Sequence, residues 1–137
     1  MKQYLLDTNV VSELRKPRPH GGVVAWLSGL HDEQLFLSAV TLGELQAGVE
    51  RVRSRDAAKA KEIELWVDRL EASHRVIPMD SACFREWARL MGKRPDRLLE
   101  DAMIAATARV HGFTVATRNQ KDFDQLGVAV LNPFKKT

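Results

Sequence analysis

Tyr4-Leu5-Leu6-Asp7-Thr8-Asn9 sets three apolar residues against three polar ones near the start of the chain. The apolar run is too short for a helix and reads as a buried strand that ends in a polar turn. The same unit recurs. Leu35-Phe36-Leu37-Ser38, Arg75-Val76-Ile77-Pro78, Phe113-Thr114-Val115-Ala116-Thr117 and Val128-Ala129-Val130-Leu131 are further short apolar runs bounded by polar residues or proline. Pro78 marks the end of its strand or an edge position, because proline cannot donate to a ladder.

Helical periodicity fills the intervals. Val10–Leu14 begins a helix that Pro17 and Pro19 interrupt. Val23, Trp26, Leu27 and Leu30 follow helical spacing, and Leu42, Leu45, Val49 and Val52 form one stripe of a long helix from about Thr41. Ile63, Trp66, Val67 and Leu70 share a face. Ser81 is expected to cap a helix carrying Phe84, Trp87 and Leu90 or Met91. Leu98–His111 is alanine-rich and helical, with Gly112 where a C-cap glycine belongs, and a short helix follows from Asn119. Strands alternating with helices predict an α/β fold: a mostly parallel central sheet of about five strands, flanked by helices on both faces.

The 137 residues fit a single domain, 1–137, on a prior of ~150 residues per domain. Apolar residues make up 45% and charged residues 28%, which excludes a disordered or collagenous chain. Cys83 is the one cysteine, so no intrachain disulfide and no cysteine-rich zinc site can form. That usage fits a reducing compartment. No apolar run reaches the ~18 residues of a membrane span, so the expected location is the cytoplasm, with no membrane partner. The net charge of +3 is compatible with a nucleic-acid partner without requiring one. Its densest basic run holds Arg51, Arg53, Arg55, Lys59 and Lys61. Such a run is either a solvated helix junction or a phosphate-contacting surface.

In open α/β sheets, ligands bind outside the carboxyl ends of the strands. Asp7, Thr8 and Asn9 stand there, as do Thr117, Arg118, Asn119 and Asp122. Glu44 lies in the first turns of the helix after the second strand, and Asp101 near the start of the alanine-rich helix. Each acid has a plain structural alternative. Asp7 could end a strand or cap a helix, Asp122 has the N3 spacing from Asn119, and Glu44 lies off its helix's apolar stripe. Asp101 is the informative one. It shares a face with Ile104, Ala105 and Ala108, where an acid is costly unless it is paired, hydrogen-bonded or bound to a cation. Gathered carboxylates repel, and a hard divalent cation with oxygen ligands relieves them. The chemistry this predicts is metal-assisted phosphodiester hydrolysis. His20, His31, His74 and His111 are scattered, and no phosphate-cradling glycine loop or nucleophile elbow is present.

In order along the chain, Tyr4–Glu13, Ser38–Leu45, Glu100–Ala108 and Ala116–Phe123 resemble the acidic motifs of the PIN-domain family, specifically the VapC-type toxins of toxin–antitoxin pairs. The resemblance covers nearly the whole chain. It implies a Mg²⁺- or Mn²⁺-dependent endoribonuclease whose metal and catalytic residues are Asp7, Glu44, Asp101 and Asp122. Asp124 is the alternative for the last acid. Thr8, Thr117 and Asn119 take supporting polar roles. The family further implies a homodimer, an antitoxin that masks the site, and operator DNA bound through that antitoxin. Charge alone makes Arg118, Arg51, Arg53 and Arg55 candidate RNA contacts. Two rival readings stand beside this one. A haloacid-dehalogenase-like phosphatase would need an aspartate at position 9, which is Asn. A binding or regulatory α/β module would show no nuclease activity.

Overall fold

The computed structural model describes residues 1–135. Five short strands form one parallel sheet: β1 (Tyr4–Leu6), β2 (Leu35–Ser38), β3 (Arg75–Ile77), β4 (Thr114–Ala116) and β5 (Val130–Leu131). Their order is β3-β2-β1-β4-β5, and each neighbouring pair is parallel. The opening hexapeptide thus supplies the central strand. Successive strands run outward from β1 to β3, and the chain then crosses to the other side of β1 for β4 and β5. The switch point lies between β1 and β4, where open sheets of this kind leave a crevice.

Alternation along the strands sorts the core into two faces. Leu5, Phe36 and Val115 point to one face and pack with Ala102, Ile104, Ala105, Ala106, Ala108 and Phe123. Those partners come from α6 (Leu99–His111) and α7 (Gln120–Gln125), with α5 (Ser81–Met91) outside them through Leu90 and Trp87. Tyr4, Leu6, Leu35, Leu37 and Ala116 point to the opposite face. They meet Val10 and Val11 of α1 (Thr8–Glu13), Val23 of α2 (Gly21–Ser28) and Leu70 of α4 (Ala57–Ser73). Four alanines of α6 are fully buried, so small side chains bring that helix close to the sheet. The three tryptophans are partly buried against these clusters, as their spacing predicts.

The expected elements are present, with shifted ends. The long helix α3 (Ala39–Arg53) begins two residues before Thr41, because the Ser38 hydroxyl accepts from the Val40 N–H and caps it. The basic run straddles the turn from α3 to α4, where Asp56 caps α4 through the Lys59 N–H. Ser81 does not cap α5. Asp80 does, through the Cys83 N–H, because a carboxylate one residue earlier reaches the orphan donor. Gly112 closes α6 in the left-handed region at φ 74°, which an L side chain rarely adopts. β3 is an edge strand that stops before Pro78.

Ile104 is fully buried between α6 and the sheet, in contact distance of the cluster around Leu5 and Val115. Ile104→Ala is expected to lower unfolding stability by about 2–5 kcal/mol with an unchanged denaturant slope. Urea unfolding checks this, and a loss below about 1 kcal/mol would show that this face is not tightly packed.

Candidate active site

The carboxyl end of β1 delivers Asp7 to the switch point. Its main chain continues the sheet, donating to the Ala116 carbonyl at 2.9 Å. Its side chain is only 5% exposed. Burial of a carboxylate is costly, and three donors offset that cost. The Thr8 N–H donates to Oδ1 at 2.8 Å, and the Thr117 hydroxyl to Oδ2 at 2.8 Å. Asn9 Nδ2 reaches Oδ2 at 3.3 Å. Asp7 therefore is the N-cap of α1 and also the centre of a polar network. Burial pushes its carboxyl above the usual range, with the Thr117 hydroxyl and the Thr8 N–H pulling the other way.

From Thr117 the network runs to the remaining acids. Thr117 is fully buried, and its oxygen accepts from the Asn119 N–H at 2.9 Å. The Asn119 side chain does not cap α7. Its amide instead donates to Asp101 Oδ2 at 3.1 Å and to Asp122 Oδ2 at 2.9 Å. The N3 spacing of Asp122 thus serves to bring two carboxylates to one amide. Asp122 Oδ1 also accepts from Arg97 at 3.2 Å. The Asn119 amide and the Arg97 guanidinium hold the Asp122 carboxyl below its usual range. Asp124 is exposed on the same helix.

On the other side of Asp7, Thr8 reaches α3. Its hydroxyl donates to Glu44 Oε1 at 3.1 Å and stands 3.3 Å from the Thr41 hydroxyl. Glu44 is partly buried, and its carboxyl is pushed up to about 7. Desolvation is the main cause, then the charge of Glu100, with Asp7 adding less. Asp101 is pushed up to about 6 by desolvation, then by Asp7, Asp122 and Glu100.

The four acids singled out by sequence thus converge on the carboxyl ends of β1 and β4. Glu100 joins them, although the sequence reading placed the motif's acid at Asp101 alone. The adjacent Glu-Asp pair in the first turn of α6 was the available signal. Asn9 was also passed over as a site residue. Among the described residues, no three Asp, Glu, His or Cys side chains stand together as a closed set of metal ligands. The Asn119 amide stands between Asp101 and Asp122, and Thr8 links Asp7 to Glu44, the first through its N–H and the second through its hydroxyl. The donor set still fits a hard cation in kind: it is all oxygen, and neighbouring acids push the Glu44 and Asp101 carboxyls up.

Beside Glu44 and Glu100 opens a cleft of about 740 Å³. Thr8, Ser12 and Arg15 line one wall; Arg51, Arg55 and Trp66 line the other. The basic run divides here. Arg51 and Arg55 reach the cleft, whereas Arg53 is held by Glu50 at 2.9 Å and Glu64 at 3.0 Å. Arg118 lies on the opposite side of Asp7, its N–H donating to Asn9 Oδ1 at 3.1 Å.

A parallel sheet that gathers carboxylates at its switch point, beside an arginine-lined cleft, defines an acid-centred site of the kind that handles phosphate esters. A PIN-domain family model matches residues 4–129, and the chain belongs to that family. It is 37% identical to VapC ribonuclease Y4jK of Sinorhizobium fredii, covering 96% of this chain and 97% of that protein. It is 39% identical to toxin FitB of Neisseria gonorrhoeae, covering 95% and 97% respectively. The crystal structure of FitAcB from Neisseria gonorrhoeae superposes with a TM-score of 0.86 at 34% identity, over 96% of this chain and 99% of that one. FitAB bound to an IR36 DNA fragment gives 0.78 at 34% identity, over 98% of each.

The Asp101 and Glu44 carboxyls lie above their ordinary values of 3.8 and 4.5, so between those values and about 6 to 7 the folded state holds more protons than the unfolded one. Their contribution to stability therefore falls as pH rises through that window. Metal-free Asp101→Asn is expected to be more stable than the parent at alkaline pH by about 1–2 kcal/mol, allowing for partial exposure, and the gain should vanish near pH 4. Urea unfolding across pH measures this. Equal stability at pH 8 would show that Asp101 is not under repulsion.

Proposed function

We propose that this chain is a metal-dependent endoribonuclease acting as the toxin of a toxin–antitoxin pair. One observation carries the reading: a buried aspartate, Asp7, is wired through Thr117 and Asn119 to Asp101 and Asp122, and through Thr8 to Glu44. The similarity to a VapC ribonuclease and to a toxin supports it. Asp7 and Asp101 would be the primary holders of Mg²⁺ or Mn²⁺, with Glu44 and Asp122 completing the set. A cation held there would supply positive charge against the negative charge that develops on a phosphate during hydrolysis.

The chain's own residues do the remaining work. Thr117 and the Thr8 N–H fix the Asp7 carboxylate, so that its orientation does not depend on substrate. Thr8 holds one oxygen of Glu44, which positions the carboxyl to orient an attacking water. Arg51 and Arg55 offer guanidinium groups to the RNA backbone across the cleft, and Arg118 offers another from the opposite side. Arg53, engaged with two glutamates, is the weakest of the proposed contacts. Residues 1–137 would act as one domain, in the cytoplasm, as a homodimer. The proposed protein partner is a cognate antitoxin that covers the acids and carries the complex to operator DNA. The similarity to FitAB bound to DNA supports this. No helix of the described residues is long and apolar enough to cross a membrane.

The purified chain is expected to cut RNA with Mg²⁺ or Mn²⁺ and to stop when EDTA is added. Asp7→Asn and Asp101→Asn should each slow cleavage by at least about 100-fold, and Thr117→Val by about 10–100-fold, since outer partners of metal ligands carry that much. Induced expression should arrest growth, and the same aspartate changes should abolish the arrest. Variants that cut as fast as the parent would overturn the site assignment.

A further inference from the structure

Besides Arg97, which pairs with Asp122, four arginines lie near α1 and fall on two of its sides. Arg15, Arg51 and Arg55 line the cleft that Thr8 and Ser12 face. Arg118 lies on the side that Asn9 and Glu13 face. Its surroundings are unlike those of an ordinary surface arginine. The peptide that carries it is fixed at both ends: its N–H donates to Asn9 Oδ1 at 3.1 Å, and its carbonyl accepts from Asn132 Nδ2 at 3.4 Å. Its guanidinium lies 3.9 Å from the centroid of the Phe134 ring.

Phe134 is itself held. Its N–H donates to Asn132 Oδ1 at 2.9 Å, and its ring packs edge-on to His20 with centroids 5.2 Å apart. It is partly buried against the core on the α1–α2 side of the sheet. Asn132 thus ties both the arginine's peptide and the phenylalanine's. Among the described residues, Arg118 makes no salt bridge. The carboxylate nearest in influence, Glu13, is already occupied by Lys16 at 2.8 Å and by the His20 N–H at 2.8 Å. A ring on one face of a guanidinium restricts its swing but leaves its edge N–H groups available.

We infer that the Asn132–Phe134 turn positions Arg118 as a phosphate clamp on the side of the active site away from the Arg51–Arg55 cleft, with Phe134 as the positioning residue. This rests on the ribonuclease reading above and adds to it a substrate path: the RNA backbone crosses the acids with a guanidinium grip on both sides. Arg118 touches the substrate, and Phe134 acts through Arg118.

Binding of a labelled single-stranded oligoribonucleotide in EDTA, across a salt series, separates the parts. Arg118→Gln should weaken binding and reduce the slope of log K against log salt by about 0.7, the value of one single-strand phosphate contact. Phe134→Leu keeps an apolar side chain but removes the ring face. It should weaken binding by about 2–5-fold, the worth of an exposed cation–π contact, and raise KM with kcat unchanged. Phe134→Tyr should restore both. In an Arg118→Gln background Phe134→Leu should have no further effect on binding. An unchanged salt slope for Arg118→Gln, or an equal effect of Phe134→Leu in both backgrounds, overturns the clamp while leaving the nuclease intact. A parent chain that neither binds nor cuts RNA overturns both readings.

Discussion

Repulsion among carboxylates is the constraint around which the rest of this structure is arranged. Asp7, Glu44, Glu100, Asp101 and Asp122 come from four separate segments, and the charges of the others push up the Glu44 and Asp101 carboxyls. Left bare, such a group would drive its elements apart. The fold answers with neutral donors more than with cations. Asp7 takes a backbone N–H and two side-chain donors. Asp101 and Asp122 share one amide. Among the described residues, only Asp122 of these acids has a guanidinium partner, Arg97. Neutral donors satisfy oxygens without cancelling charge, so the site stays negative and keeps its demand for a cation.

The short sheet explains how such distant residues meet. A strand of three residues such as β1 buries both faces and then runs out of sheet at once. Its next residue, Asp7, must be polar and must begin a helix. The same happens after β2, where Ser38 caps α3 and so sets the first turns that carry Glu44. It happens again after β4, where buried Thr117 turns the chain toward α7. Each of these strand ends leads into a helix within three residues, so each delivers side chains and N–H groups to the same edge. Asp101 is the exception. It arrives on α6, whose small buried residues lay its N-terminal turn close to the sheet.

The fold was legible because strand and helix patterns alternate without ambiguity. β1 and β2 coincide with their sequence runs, since a short apolar run between polar stops allows little else. The helix starts were less legible. The serine at 81 and the aspartate at 80 are both good caps, and only the backbone course decides between them. The site was legible as a list of acids but not as a network. Asn119 read as a helix cap, yet its side chain turns inward: its NH2 donates to two carboxylates, and its oxygen takes none of the orphan N–H groups that a cap would serve. Charge was the least legible quantity. A net charge of +3 says nothing about which arginines are spent. Arg53, Arg89, Arg97 and Arg109 are tied up in ion pairs, whereas Arg51 and Arg55 line the cleft. That partition depends on α3 and α4 lying side by side, which brings Glu64 to Arg53 and away from Arg51.

The choice of an amide at the centre of the acids has a consequence for function. A lysine at position 119 would place a full positive charge between Asp101 and Asp122 and bind them more strongly. It would also occupy, permanently, the positive position that a divalent cation needs. Asparagine bridges the same two oxygens at about a hydrogen bond's length each while carrying no charge. Its two N–H bonds are each worth only about 0.5–1.5 kcal/mol net, or up to about 3 to a charged group, so an arriving cation can displace them. The arrangement therefore holds the carboxylates in register when empty without competing electrostatically when filled. Thr117 fits the same logic one step inward, because its hydroxyl orients Asp7 by geometry and adds no charge of its own.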